Sequence, residues 1–277
     1  LPRHIACLSY DFDTWSGFAS RGMLTPTPIS RGEFGIVGAR RILDLLSSRG
    51  IKGSWYIPGV VIKTYPEACE SVVAGGHEVG HHGWSHIPPA ELSAEREAEE
   101  FAMGVEAIRG LTGQIPAGYR SPAWDLSEQS IDLMVRHGLR YDSSMMGHDC
   151  EPYFARRGDK VAADAPLVFG ETTDLVEVPI SWSLDDHPHF EFFRTKAGVM
   201  PGLANAGAVL ENWLADFEYM RRTTDWGVMV YTFHPYVSGR GHRMMMMEQL
   251  IDGLTAMGAE FRTLDEVQQE FRARQAG

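Results

Sequence analysis

The chain has 277 residues, 44% of them hydrophobic and 22% charged, with a formal net charge of -12. That length and mix suit one globular domain, and the negative charge argues against a nucleic-acid surface or a basic membrane-binding face. No run approaches the roughly 18 apolar residues that span a bilayer, and no positively charged leader precedes an apolar core. The three cysteines, Cys7, Cys69 and Cys150, lie far apart and read as small buried hydrophobes of a reducing compartment. A cytoplasmic location is expected, with a removed leader left open by the Leu-Pro start.

Short apolar runs alternate with helical patterns along the chain. Residues 5–12 (IACLSYDF) predict a strand, and FGIVGARRILDLLSSRG a helix that Gly50 closes. KGSWYIP predicts a strand, YPEACESVVAGG a short helix, and HEVGHHG another strand. ELSAEREAEEFAMGVEAIRGLTG predicts a long amphipathic helix with acidic residues in its first turns, where the helix dipole favours them. AGYRSP then reads as a strand, SEQSIDLMVRHG as a helix opened by Ser127, and YDSSMM as a strand. LVEVPISW and VMVYTFHP are further strands, each followed by helical segments, and EFRTLDEVQQEFRAR ends the chain. Residues 147–173 and 185–202 are expected to be elaborated loops. The methionine run at 244–247 belongs to a helix, with some methionines turned to the core. Strand–helix alternation predicts parallel strands covered by their crossover helices. Seven or so such units suggest a barrel, and no composition break divides residues 1–277 into domains.

Residues 76–86 read GHEVGHHGWSH and hold four of the chain's 11 histidines. His82 and His86 stand four apart, the spacing that puts two imidazoles on one face of a helical turn, where they can chelate one Zn²⁺-like ion. His77 and His81 share the spacing but fall in the extended run, which holds their side chains apart. A third ligand is expected from SYDFDTW, where Asp11 and Asp13 stand at the end of the first strand. Two histidines and an aspartate, with open positions, make the donor set of a catalytic metal, because substrate and water must also bind. Arg120 ends the strand in YRSPAW, and His234 the one in YTFHPY. Strand ends meet at one mouth of a barrel, so these residues are expected to converge there.

In that order, DFD, HGWSH preceded by HEVGH, RSP and FHP resemble the motifs of the metal-dependent polysaccharide deacetylases with the NodB-like fold. The resemblance spans nearly the whole chain and implies a single deformed (β/α) barrel of about seven parallel strands. It implies Asp13, His82 and His86 as metal ligands, Asp11 as the catalytic base, Arg120 as the arginine that holds the base, and His234 as the general acid. Asp185 is the expected partner of His234, with Asp186 as the alternative. Three departures mark this chain. The aspartates of DFDTW are separated, His81 stands where asparagine is usual, and YDSSMMGHD and LDDHPHF resemble a divergent branch. That branch contains cyclic-imide hydrolases and peptidoglycan deacetylase-like proteins.

The implied reaction is hydrolysis of a non-peptide amide C–N bond assisted by one divalent ion, with zinc expected. A backbone N–H within residues 119–124 is expected to help hold the oxyanion. The expected substrate is a small cyclic imide or amide, enclosed by Trp15, Phe18, Met145, Met146, Trp182, Phe190 and Phe192. The alternatives are N-deacetylation of N-acetylated sugars or peptidoglycan, and metal binding without turnover. Asp11 and His234, which a metal alone does not need, argue against the last. Relatives in the branch imply a homo-oligomer.

Overall fold

The computed structural model describes residues 2–195, 198–200 and 202–277. Strand β1 (Arg3–Asp11) is buried along almost its whole length, as expected of an apolar run covered on both faces. The others are β2 (Ser54–Ile57), β3 (Glu78–His81), β4 (Gly118–Tyr119), β5 (Tyr141–Asp142), β6 (Tyr153–Arg157), β7 (Lys160–Ala162), β8 (Ala165–Val168), β9 (Glu171–Glu177), β10 (Phe193–Thr195), β11 (Gly198–Met200), β12 (Trp226–Phe233) and β13 (Glu260–Phe261). The main sheet runs β12-β1-β2-β3-β4-β5-β9-β6, with β13 also on β1. Every pair from β12 to β9 is parallel, and β6 adds an antiparallel edge. A parallel bridge from Asp185 to Thr232 ties the segment after β9 back to β12. The sheet thus curls into a deformed barrel whose parallel path holds seven strands.

Successive strand side chains point to opposite faces, which sorts the core into two layers. Ile5 and Cys7 of β1 cluster with Tyr56, Tyr141, Val176 and Val228 in the barrel interior. Ala6, Leu8 and Tyr10 instead pack with Ile42 and Leu46 of the helix Pro26–Arg49. That helix ends at Gly50, left-handed with φ 65°, where glycine carries no Cβ penalty. Leu264, Val267 and Phe271 of the helix Leu264–Gln275 belong to the interior cluster. Its first N–H groups bond Ser54 Oγ and Glu78 Oε2 at the starts of β2 and β3. The amino end of the barrel is therefore sealed, and chemistry is left to the carboxyl end.

Two expected loops are more regular than their sequences suggested. Residues 147–173 contain β6, β7, β8 and the start of β9. Residues 185–202 contain the helix Asp186–Phe190 and the β10–β11 hairpin. The methionine run lies in the helix Gly241–Ala256, with Met244, Met246 and Met247 buried and Met245 exposed. Among the described residues, no helix is long and apolar enough to cross a membrane.

Candidate active site

β1 and β12 pair through Tyr10 and Phe233, and so deliver Asp11 and His234 side by side at the carboxyl rim. β3 and β4 pair through His81 and Tyr119, and so bring out His82 beside Arg120. Asp11, Asp13, His82, His86, Arg120 and His234 are all buried.

His82 Nδ1 donates to the Arg120 carbonyl oxygen at 2.7 Å, which leaves a lone pair on Nε2 of the neutral ring. That nitrogen lies 3.2 Å from Asp13 Oδ1, a buried oxygen without a hydrogen-bond partner. His86 Nε2 lies 3.2 Å from Asp13 Oδ2. Electron-rich atoms held face to face in this way call for a cation between them. The donor atoms of the three side chains lie within 4.8 Å of one another, and two imidazoles with a carboxylate suit a Zn²⁺-class ion. The residues fit the metal. Burial pushes the Asp13 carboxyl up, but His86 and His82 outweigh it and hold it well below the usual range. At His82 burial opposes protonation, while Asp11 and Asp13 outweigh it and raise the pKa. At His86 burial outweighs Asp13 and lowers the pKa, so the site favours positive charge beside Asp13 but not on both imidazoles at once.

On one side stands Asp11. Arg120 Nη1 donates to Asp11 Oδ1 at 3.0 Å, and Trp124 Nε1 donates to Oδ2 at 3.3 Å. Arg120 is itself fixed by Ser9 Oγ and by the carbonyl and hydroxyl of Ser143. Its guanidinium rests 4.3 Å from the centre of the Tyr56 ring. On the other side stands His234, whose Nε2 is 3.6 Å from Asp13 Oδ2 and 4.0 Å from Asp11 Oδ2. Its Nδ1 donates to Asp186 Oδ1 at 2.8 Å, and Asp185 Oδ1 is 3.4 Å away. Asp186 also accepts from the His234 N–H and from Ser238 Oγ. Burial lowers the His234 pKa, but Asp185 and Asp186 outweigh it and hold it well above the ordinary imidazole range.

Asp11, Asp13, His82, His86, Asp185 and His234 line a cavity of about 250 Å³, together with Arg21, Ala123, Trp124, Trp182 and His187. The Trp124 and Trp182 rings stack with centroids 4.1 Å apart. Ala123 and Trp124 hold left-handed backbone at φ 54° and 55°, strained for residues with a Cβ and typical of functional sites.

A family model for polysaccharide deacetylases matches residues 37–141. The peptidoglycan deacetylase of Helicobacter pylori is 35% identical over 278 residues, covering 95% of this chain and 94% of that one. The chain belongs to the polysaccharide deacetylase family. A crystal structure from Mycobacterium smegmatis, described as a candidate polysaccharide deacetylase, is similar with a TM-score of 0.83 at 27% identity, covering 99% of this chain and 92% of that one. A crystal structure of Puue allantoinase is similar in fold alone, with a TM-score of 0.77 at 16% identity over 98% of this chain and 91% of that one.

Within this polysaccharide deacetylase fold, the six strand-end residues expected to converge do share one mouth. The route differs at the histidines. Residues 82–88 form no helix, and His86 has φ 64°, so a sharp bend, not a helical turn, brings it to His82. His77 Nδ1 accepts from the Gly53 N–H. His81 donates from Nε2 to the Phe101 carbonyl and accepts the Gly83 N–H at Nδ1, so both its nitrogens are engaged away from the cluster. Asp186, not Asp185, is the nearer carboxylate to His234; Asp185 caps the short helix through the His187 N–H at 3.0 Å. Of the bulky residues expected to enclose substrate, Trp182 lines the cavity, while Phe18 and Phe190 pack in the core. Sequence reading missed Arg21 and His187, which no strand-end pattern marks.

Proposed function

We propose that the protein is a zinc-class metal-dependent hydrolase of non-peptide amide bonds, with a small cyclic imide or amide as substrate. The observation that carries this reading is one cavity holding the Asp13–His82–His86 cluster between an arginine-held Asp11 and a carboxylate-held His234. A divalent ion bound there supplies Lewis acidity at the scissile carbonyl and makes water a stronger acid. Asp11 takes the proton of the attacking water, and Arg120 keeps the Asp11 carboxylate aimed. A backbone N–H of the turn at residues 119–124 steadies the developing oxyanion. His234 gives its Nε2 proton to the departing nitrogen. Without that proton the nitrogen leaves poorly and the tetrahedral adduct reverts.

A cavity of about 250 Å³ is small beside the roughly 300–1,000 Å³ of drug-sized sites, which favours a compact substrate. The Helicobacter pylori relative favours a second reading, N-deacetylation of an N-acetyl sugar or peptidoglycan. Purified zinc-loaded protein should be assayed on succinimide, hydantoin and N-acetylglucosamine oligomers, reading the ring-opened acid or released acetate. Turnover of the imides alone supports the first reading, and turnover of the oligomers alone the second. Metal bound with no turnover of any of them would leave a binding protein and refute both.

A further inference from the structure

The arginines around the cavity are unequally engaged. Arg120 is buried and committed to Asp11. Arg31, near the Phe18 and Phe193 rings, pairs with Glu191. Arg21 is exposed at the edge of the cavity it lines, and its contacts are the Gly17 carbonyl oxygen and the Phe193 ring, whose centre is 5.3 Å from its guanidinium carbon. Among the described residues no carboxylate lies within 4.0 Å of it. One N–H and one face of the guanidinium thus fix its place, and the rest of the five-donor fork is unclaimed. A Cβ on Gly17 would lie 3.4 Å from Asp13 Oδ2 and 3.5 Å from Arg21 Nη1, so those two atoms are no farther apart than the two distances combined. His187 lines the same cavity, nine-tenths buried, and its Nε2 has no hydrogen-bond partner.

We infer that Arg21, with His187 beside it, binds a carboxylate of the substrate, so that the substrate is an amide or imide bearing an acidic group a few bonds from its scissile carbonyl. The inference rests on the amide-hydrolase reading above and names a substrate class within it. An arginine fork meets a carboxylate through two parallel charge-assisted hydrogen bonds. Asp11, Asp13 and Asp185 also line the cavity and repel a substrate carboxylate, a repulsion that Arg21 offsets at the cavity edge. A neutral imide or sugar would leave that exposed fork to water, whereas a substrate carboxylate replaces the water with charge-assisted hydrogen bonds.

The test compares two matched pairs on the metal-loaded enzyme: hydantoin with hydantoin-5-acetic acid, and N-acetylglucosamine with N-acetylmuramic acid. In one pair the acid should exceed its neutral partner in kcat/KM by about tenfold or more, the scale of a charge-assisted hydrogen bond. Preference in the first pair assigns a small cyclic acid, and in the second a sugar acid. Arg21→Met should abolish the preference through KM, and Arg21→Lys should restore part of it. Independently of turnover, calorimetry on metal-free protein should show succinate binding about tenfold more weakly to Arg21→Met than to the wild type. If none of the four compounds reacts, the succinate comparison still decides the role of Arg21, and the hydrolase reading is decided by the succinimide and oligomer assays above. Equal succinate binding, or equal loss of acid and neutral turnover in Arg21→Met, overturns the inference.

Discussion

Because the Arg120 carbonyl oxygen accepts a hydrogen bond from the His82 Nδ1–H at 2.7 Å, the same residue that steadies Asp11 through its side chain also turns His82 toward Asp13 through its backbone. Asp11 and His234 flank that cluster with different partners, and the difference has a kinetic consequence. Asp11→Asn should keep metal and substrate but lower kcat by roughly 10² or more, the scale of a lost general base. His234→Ala should do the same on amides. An activated ester, whose leaving group needs no proton, should largely escape the His234→Ala defect and still suffer from Asp11→Asn. Steady-state rates on an amide and ester of the same acyl group check this. Equal damage to both substrates by both variants would mean that His234 orients substrate instead of delivering a proton.

At the scale of elements, His234 depends on a helix far from it in sequence. It precedes the short helix Pro235–Ser238, which packs on the helix Pro26–Arg49. A Cβ on Gly38 would fall on the Pro235 carbonyl oxygen, and one on Gly239 against Gly38 Cα. Gly38→Ala should therefore push the His234 turn, costing about 1–3 kcal/mol as overpacking does and lowering kcat while metal content is kept. Gly110, in the helix Ala94–Thr112, has nothing within 4 Å of where its Cβ would stand. Gly110→Ala should instead stabilise by about 0.4–1 kcal/mol, by restricting the unfolded chain. Urea midpoints for the two variants separate these outcomes. The same geometry explains what was legible in the sequence. Strands buried on both faces, such as β1 and β12, read as apolar runs, and their ends located Asp11 and His234. β7 and β8 are exposed at every residue, so burial imposes no alternation there and the hairpin passed for loop. Nothing in local spacing shows that His86 arrives through a left-handed bend, or which of two adjacent aspartates turns toward His234. Those choices are made by contacts such as Ser238 with Asp186, which are distant in sequence.

For the whole molecule, stability and activity rest on separate buried charges. Asp142 and Glu177 are paired across β5 and β9, outside the catalytic cluster, and Asp142 Oδ2 and Glu177 Oε2 have no other hydrogen-bond partner. Burial pushes Asp142 up to about 6, and burial with Asp142 beside it raises Glu177 well above the carboxylate range. In the unfolded chain both titrate near 4. The stability they contribute is therefore complete below about pH 4 and declines as pH rises through the folded values. Asp142→Asn should flatten that decline above about pH 4 and raise the urea midpoint at neutral pH; an unchanged slope would assign the pH dependence elsewhere. The proposed catalysis would make a different demand, for a metal held by Asp13, His82 and His86. The direct measurement is elemental analysis combined with amide turnover on the same samples, before and after chelation and after zinc is returned. The wild type and His77→Ala should each hold about one ion per chain, with turnover lost on chelation and restored by zinc, while His82→Ala and His86→Ala should lose metal and turnover together. Metal-free protein that hydrolyses the amide as fast as the loaded enzyme would contradict the account.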